Sequence, residues 1–386
     1  MLFRSVEVVV QKGAGIAATE RIRRWIQEFN GDARERGLDP VRGLRFVDTR
    51  RRVYPKGALC ANVLGFTDER GGGLYGVERR YEDVLAPTGG QAVFERDRRG
   101  LELQNERFTE RKPRDGANLF LTIDEPIQSI VEEELAGLFE EHNPKAAYAV
   151  MANPKTGAVL AMAQLPTFNP NRRANITPHQ WQNRILSYGF EPGSIMKCIS
   201  VSGAIDFGIV NLGDRFHCEK GIWYHRGRPL RDSGHSYESL RVWEIIQKSS
   251  NIGTAKIALA MGEKRLYQTL WRFGFGQPTD IGLGCEAPGI FRSLSNWDGL
   301  SLSRFAIGQG ILSTPLQIVQ AYGALANEGV MMQLRLVDRI ENPQTGQWEL
   351  IPPRARRRVL RRESALQAVV AMKTVTKKGG TATAAA

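Results

Sequence analysis

The pattern of apolar and polar positions changes character at Asn118. Asn118-Leu119-Phe120-Leu121-Thr122-Ile123 alternates in the manner of a strand. Asp124 follows as a helix N-cap, with Pro126 near the first turn. Ile127, Ile130, Val131, Leu135 and Leu138 then lie on one side of a helix predicted to reach about Glu141. Two apolar runs, 147–151 and 158–163, flank Asn153-Pro154-Lys155-Thr156-Gly157, which is a hairpin signal. Helical segments and loops alternate from there to Glu349. A strand, a helix, a hairpin and then helices predict an α+β fold, with helices packed on an antiparallel sheet. Upstream the pattern is different. Residues 1–56 are Arg-rich with a helical segment at 19–29, and 57–117 are dense in glycine and turns, predicting short strands and loops. The expected division is therefore 1–117 and 118–386.

Composition narrows the class. With 386 residues, 42% hydrophobic and 24% charged, most of the chain is globular rather than disordered. No run approaches the 18 apolar residues of a membrane-spanning helix, and the N-terminal apolar run, broken by Glu7, is too short for a good signal peptide. The formal charge of +12 is uneven: residues 351–386 hold nine Lys/Arg against one Glu. Six arginines fall within 354–362 without interleaved aromatics, which predicts a solvated face rather than a nucleic-acid surface. Cys60, Cys198, Cys218 and Cys285 are too far apart for a CxxC metal site and too few for a disulfide scaffold, so each is expected as a small buried apolar residue.

The candidate chemistry begins at Ser194-Ile195-Met196-Lys197, preceded by the turn Glu191-Pro192-Gly193. Residues three apart share a helix face, so the Ser194 hydroxyl and the Lys197 amine can meet. Serine is a poor nucleophile without a neighbouring base, and a lysine serves as that base once burial or a nearby cation lowers its pKa. A helix N-terminus also favours the negative charge that develops on attack. Further on, Lys248-Ser249-Ser250-Asn251 precedes a helix-like segment. Ser249 and Asn251 offer a hydroxyl and an amide to one cleft, the first to relay a proton and the second to hold Lys197 or a substrate carbonyl; the triplet also reads as an ordinary helix N-cap.

SxxK followed by an S-x-N triplet is part of a serine acyl-transferase signature. With Arg52-Val53-Tyr54-Pro55-Lys56-Gly57, Val63-Leu64-Gly65-Phe66, Gly76-Val77-Glu78, Leu121-Thr122-Ile123-Asp124, Pro166-Thr167-Phe168-Asn169-Pro170-Asn171, Gly274-Phe275-Gly276, Gly308-Gln309-Gly310 and Thr314-Pro315-Leu316-Gln317 in order, the chain resembles a class B penicillin-binding protein of the division type. The resemblance spans roughly 45–386. It implies a transpeptidase domain like that of penicillin-binding proteins and serine β-lactamases at 118–386, preceded by an incomplete, β-rich, dimerisation-type pedestal at 1–117.

It also implies roles. Ser194 would be acylated by the penultimate D-Ala of a stem peptide, with Lys197 as general base. Ser249 would shuttle a proton to the leaving amine, and Asn251 would orient Lys197 and the substrate amide. Peptidoglycan stem peptides ending in D-Ala-D-Ala are the implied substrates, and β-lactams the covalent inhibitors. Membrane division proteins and a glycosyltransferase are the implied partners, on the periplasmic or extracytoplasmic face of the bacterial inner membrane. No metal, no organic cofactor and no nucleic acid is expected, and His142, His179, His217, His225 and His235 have no catalytic role to fill.

The third motif of such proteins, Lys-Thr-Gly on a strand, does not occur; Lys373-Thr374-Val375 falls in a helical pattern. The ending Gly379-Gly380-Thr381-Ala382-Thr383-Ala384 resembles the loop that precedes that motif, which implies truncation there and loss of the N-terminal membrane anchor. Loss of one oxyanion-hole donor costs about 10²–10³ in rate. The alternative expectation is therefore a catalytically impaired fragment or scaffold.

Overall fold

The computed structural model describes residues 15–41, 44, 46, 51–96, 102–234 and 236–385. It divides into two compact units: residues 1–53 with 68–71, and residues 54–67 with 72–386. In the first, the predicted helix runs further than its apolar pattern, over Ile16–Glu35, with Trp25 and Phe29 stacked one turn apart at 5.4 Å. Asn30 secures the chain beyond it, exchanging hydrogen bonds with the Val41 backbone at 2.6 and 3.2 Å.

In the second unit, strand Asn118–Leu121 pairs antiparallel with Val337–Glu341, which pairs in turn with Trp348–Leu350. The predicted hairpin is formed by Ala147–Ala152 and Val159–Leu165. Asn153 Oδ1 accepts from Lys155 N at 2.9 Å and Thr156 N at 3.3 Å, an Asx turn. Gly157 closes it with φ +71°, where a Cβ would lie 2.0 Å from Gln333 O. Val159 N donates to Arg335 O and Arg335 N to Gly157 O, tying the hairpin to the longer strands. Among the described strands, Ala147–Ala152 pairs along one edge only.

Helix Glu125–His142 begins at Asp124, whose side chain accepts from Ile127 N. It is fastened to the hairpin by Gln128, fully buried, which accepts from Met162 N at 2.8 Å and donates to Met162 O at 3.0 Å. Cys60, Val63 and Val77 pack in one apolar cluster with Val159, Met162, Leu334 and Leu336. The glycine-rich stretch around them holds short helices (Ala61–Leu64, Gly76–Arg80, Glu82–Leu85) as well as strands.

The larger core surrounds helix Met196–Asp206, nearly all of whose residues, Lys197, Ser200 and Ser202 included, are buried. At Gly203 a Cβ would meet Thr269 at 2.4 Å, so glycine permits the close crossing with helix Glu263–Arg272. A second anchor is Gln317, buried in helix Pro315–Ala326. Its Oε1 accepts from Thr314 N at 2.8 Å, and its Nε2 donates to Gln277 O at 2.7 Å and Pro288 O at 2.8 Å. Gln317→Ala strands several buried polar groups and is expected to lower unfolding free energy by about 3 kcal/mol in denaturant titration; a loss under about 1 kcal/mol would refute this role.

The arginine run is largely solvated, as expected, with Arg354, Arg358, Arg361 and Arg362 exposed, but several of its guanidinium groups are also bonded into the fold, and Arg356 and Arg357 are half-buried. Arg356 donates to Thr279 O, Pro278 O and the Asp280 carboxylate. Arg357 lies over the Trp271 ring at 5.2 Å, Arg358 donates to Glu328 O, and Arg362 pairs with Glu328 at 2.7 Å. The run includes strand Ala355–Arg358 and enters helix Arg362–Met372. Of the cysteines, Cys60 and Cys218 are buried, Cys198 is half-buried, and Cys285 is exposed, unlike the buried residue expected.

Candidate active site

Ser194 stands on a turn that is fixed from below. Gly193 adopts φ +58°, and its N–H donates to Gly308 O at 3.0 Å. Ser194 sits in the single 3-10 turn Gly193–Ile195, which runs directly into helix Met196–Asp206. Gly308 has φ +76°, and a Cβ there would lie 2.3 Å from Gly193 O and 2.5 Å from Gly193 N. Gly310 N donates to Glu191 Oε1 at 2.8 Å, and the Tyr322 hydroxyl donates to Ile195 O at 2.7 Å. Phe190 and Ser313 exchange backbone hydrogen bonds on the approach. Ser194 itself is exposed, at the N-terminal end of the buried helix.

Lys197, one turn on, is buried. Its Nζ donates to Ser249 O at 2.5 Å and Ser249 Oγ at 2.9 Å. Burial pushes its pKa down to about 8, against the opposing influence of the Asp232 charge and of Cys198. Ser194 and Lys197 share a helix face, but the amine bonds to Ser249, and Ser194 Oγ makes no hydrogen bond within the described residues.

The second motif is a strained corner. Helix Val242–Gln247 ends, Ser249 takes a left-handed φ of +55°, and helix Asn251–Met261 begins. A non-glycine residue in that conformation needs surrounding structure to hold it. Ser250 supplies part of it, capping the second helix by accepting from Gly253 N at 3.0 Å. Cap and site thus divide between neighbours: Ser250 caps, and Ser249 reaches Lys197. The Asn251 amide donates to Arg231 O at 2.7 Å rather than to Lys197, which departs from the orienting contact expected of it. Asp232, next to Arg231, accepts from Ser250 Oγ at 2.8 Å, Asn251 N at 2.6 Å and Ile252 N at 3.1 Å. No pattern in the sequence singles out Asp232, whereas the paired glycines at 308 and 310 were visible as a motif without a stated task.

Lys373-Thr374-Val375 lies in the turn after helix Arg362–Met372 and is no strand. It touches the second motif all the same: Gln247 Nε2 donates to Thr374 O at 3.2 Å, and Lys248 Nζ to Gly379 O at 2.7 Å. Among the described residues no group of three or more His, Cys, Asp or Glu could hold a metal ion. His142 and His217 are exposed, His179 and His225 are half-buried, and His235 lies outside the described residues.

An exposed serine, a buried lysine with a depressed pKa and a hydroxyl within reach of that lysine form the minimum for nucleophilic acyl transfer. Comparison with known proteins decides the lineage. A profile described as the penicillin binding protein transpeptidase domain matches residues 147–386. The chain belongs to that family. It is of the class B, division type, and has the α+β fold of these transpeptidases. It is 33% identical to the probable peptidoglycan D,D-transpeptidase PenA of Neisseria gonorrhoeae over 87% of this chain and 56% of the relative. It is 31% identical to the peptidoglycan D,D-transpeptidase FtsI of Escherichia coli over 79% of this chain and 51% of the relative. The chain thus spans about half the length of these relatives. Penicillin-binding protein 3 of Mycobacterium tuberculosis, solved in complex with aztreonam, superposes with a TM-score of 0.78 at 29% identity, covering 87% of this chain and 72% of that one. Ser194, Lys197, Ser249 and Asn251 all fall within the transpeptidase-family match.

Proposed function

We propose that the chain carries the acyl-transfer site of a peptidoglycan D,D-transpeptidase that crosslinks stem peptides in division. The observation that carries this reading is Lys197, buried, lowered to about 8 and bonded to Ser249, one helical turn beyond the exposed Ser194. In this reading Lys197 takes the Ser194 proton as the hydroxyl attacks the penultimate D-Ala carbonyl. The resulting tetrahedral intermediate collapses to an acyl-enzyme as the terminal D-Ala leaves with a proton relayed through Ser249. An amine of a second stem peptide then attacks the ester, forming the crosslink and restoring Ser194. Asn251, anchored to Arg231 O, lines the cleft for the substrate amide. β-Lactams would acylate the same serine. The names of PenA and FtsI support the substrate class, and the aztreonam complex supports the inhibitor class. Periplasmic action beside membrane division proteins and a glycosyltransferase belongs to the same reading, as does the division into a pedestal at 1–117 and a catalytic domain from 118.

Fluorescent penicillin tests it. Stoichiometric labelling is expected for the wild-type chain and its complete loss for Ser194→Ala. Labelling that survives the substitution would remove Ser194 as nucleophile. A folded wild-type chain that does not label would favour the impaired scaffold.

A further inference from the structure

The two strands Ile222–His225 and Arg228–Arg231 form an antiparallel hairpin that delivers one short segment, Arg231-Asp232, to the second motif. That segment accepts four hydrogen bonds from three consecutive residues. Arg231 O takes the Asn251 amide; one carboxylate oxygen of Asp232 takes Ser250 Oγ, and the other takes the backbone N–H groups of Asn251 and Ile252. The acceptor lies 18 to 20 residues upstream of its donors. Its own backbone is fixed, since Asp232 N donates to Gly221 O at 3.1 Å. Asp232 is buried, and such a carboxylate is retained only where its hydrogen bonds are well made. Two of its donors are the first N–H groups of helix Asn251–Met261, the groups with no partner inside a helix. The corner they steady contains Ser249, the only residue to which Lys197 Nζ bonds among those described.

We propose that Asp232 is a positioning residue of the acyl-transfer site, holding the Ser249–Asn251 corner against Lys197 and presenting its own carboxylate charge to that amine. The inference rests on the acyl-enzyme reading above. Asp232 never touches the reacting atoms; it acts through Ser249 and Lys197. Among the described residues, the charged and titratable groups acting on Lys197 are Asp232 and the Cys198 thiol, and the Tyr322 hydroxyl acts on that thiol in turn. Among them the Asp232 carboxylate is the one that holds the corner as well.

The sign of the electrostatic part is definite. Asp232 favours the protonated amine. Without its charge, Lys197 becomes neutral at lower pH, so the limb of acylation that follows the neutral amine moves to the acid side. A residue that merely stabilised the fold would change the rate and leave that limb where it is.

The experiment compares the wild-type chain with Asp232→Asn, which keeps the shape and loses the charge. Fluorescent-penicillin acylation is followed from pH 6 to 10, and the Lys197 amine is titrated by heteronuclear NMR, assigned through Lys197→Arg. The expected result is acylation slowed about tenfold on the plateau, with both the limb and the NMR midpoint displaced to lower pH. Midpoints that coincide with wild type overturn the inference. The NMR readout does not need acylation, so a wild-type chain that fails to label counts against the acyl-enzyme reading alone. Should Asp232→Asn not fold, as judged by circular dichroism, Ser250→Ala removes one of the same bonds and leaves the charge. Faster hydrogen exchange at Asn251 N and Ile252 N is then expected, and wild-type exchange there overturns the inference.

Discussion

Lys197→Met is expected to slow acylation by penicillin about 10³-fold, the scale of a lost general base, and to leave the fold intact. The side chain is buried among apolar neighbours of helix Met196–Asp206, so an unbranched apolar replacement fits where the stem now lies. What disappears is the amine that, in the proposed mechanism, takes the serine proton in its neutral form. With the pKa at about 8, only about one molecule in ten holds the neutral amine at pH 7, about half do at pH 8, and the fraction saturates above about pH 9. Wild-type acylation should therefore climb through neutral pH and level off, whereas Lys197→Met should be slow without that limb. Lys197→Arg keeps a cation that does not deprotonate, and is expected to be equally slow.

Stability should move the other way. A lysine whose folded pKa lies below its unfolded value costs stability while it is protonated in both states, that is below about pH 8. The cost fades as pH rises towards 10.5. At pH 7 the methionine variant should thus unfold at a temperature no lower than wild type. A variant that labels at the wild-type rate, or retains the pH limb, would remove Lys197 as the base.

Gly308→Ala should also slow acylation, by a different route and to a smaller extent, about 10²-fold. Its Cβ would overlap backbone atoms of Gly193 at 2.3 and 2.5 Å, and the left-handed φ is unfavourable for alanine in any case. Neither opposing atom belongs to a flexible side chain, so the loop or the nucleophile turn must shift. A displacement of about 1 Å at a reacting group can cost about 10² in rate, and the strain should lower stability by about 2 kcal/mol or more. Gly213→Ala is the control, since a Cβ there meets nothing within 4 Å and the residue is exposed. Thermal unfolding and labelling kinetics measured on both variants check the contrast; a Gly308→Ala chain indistinguishable from the Gly213→Ala chain would refute it.

Local rules made the hairpin and the helix from Glu125 legible, because Asn153, Gly157 and Asp124 do their work within four residues of themselves. The SxxK spacing likewise placed Ser194 and Lys197 on one face. The bonding of the lysine did not follow from spacing, because its partner Ser249 comes from another helix end and a left-handed corner. Asp232 was illegible for a related reason: a carboxylate that caps a helix from a distant hairpin has no local pattern. The arginine run was legible as a mostly solvated stretch, but not in its bonding, because charge density shows nothing of partners. Thr279 O, Asp280, Trp271 and Glu328 reach it from other parts of the chain.

The clasp between residues 191–193 and 308–310 has a kinetic meaning. The Gly310 to Glu191 bond joins residues 119 positions apart. Contacts of such sequence separation form only after most of the intervening chain is ordered, since the closure entropy has to be met first. In the proposed mechanism, the reactive geometry of Ser194 is then a late product of folding. A nascent or partly folded chain carries the serine without its fixed turn, and so without the reactivity that would let it be trapped before the molecule is complete.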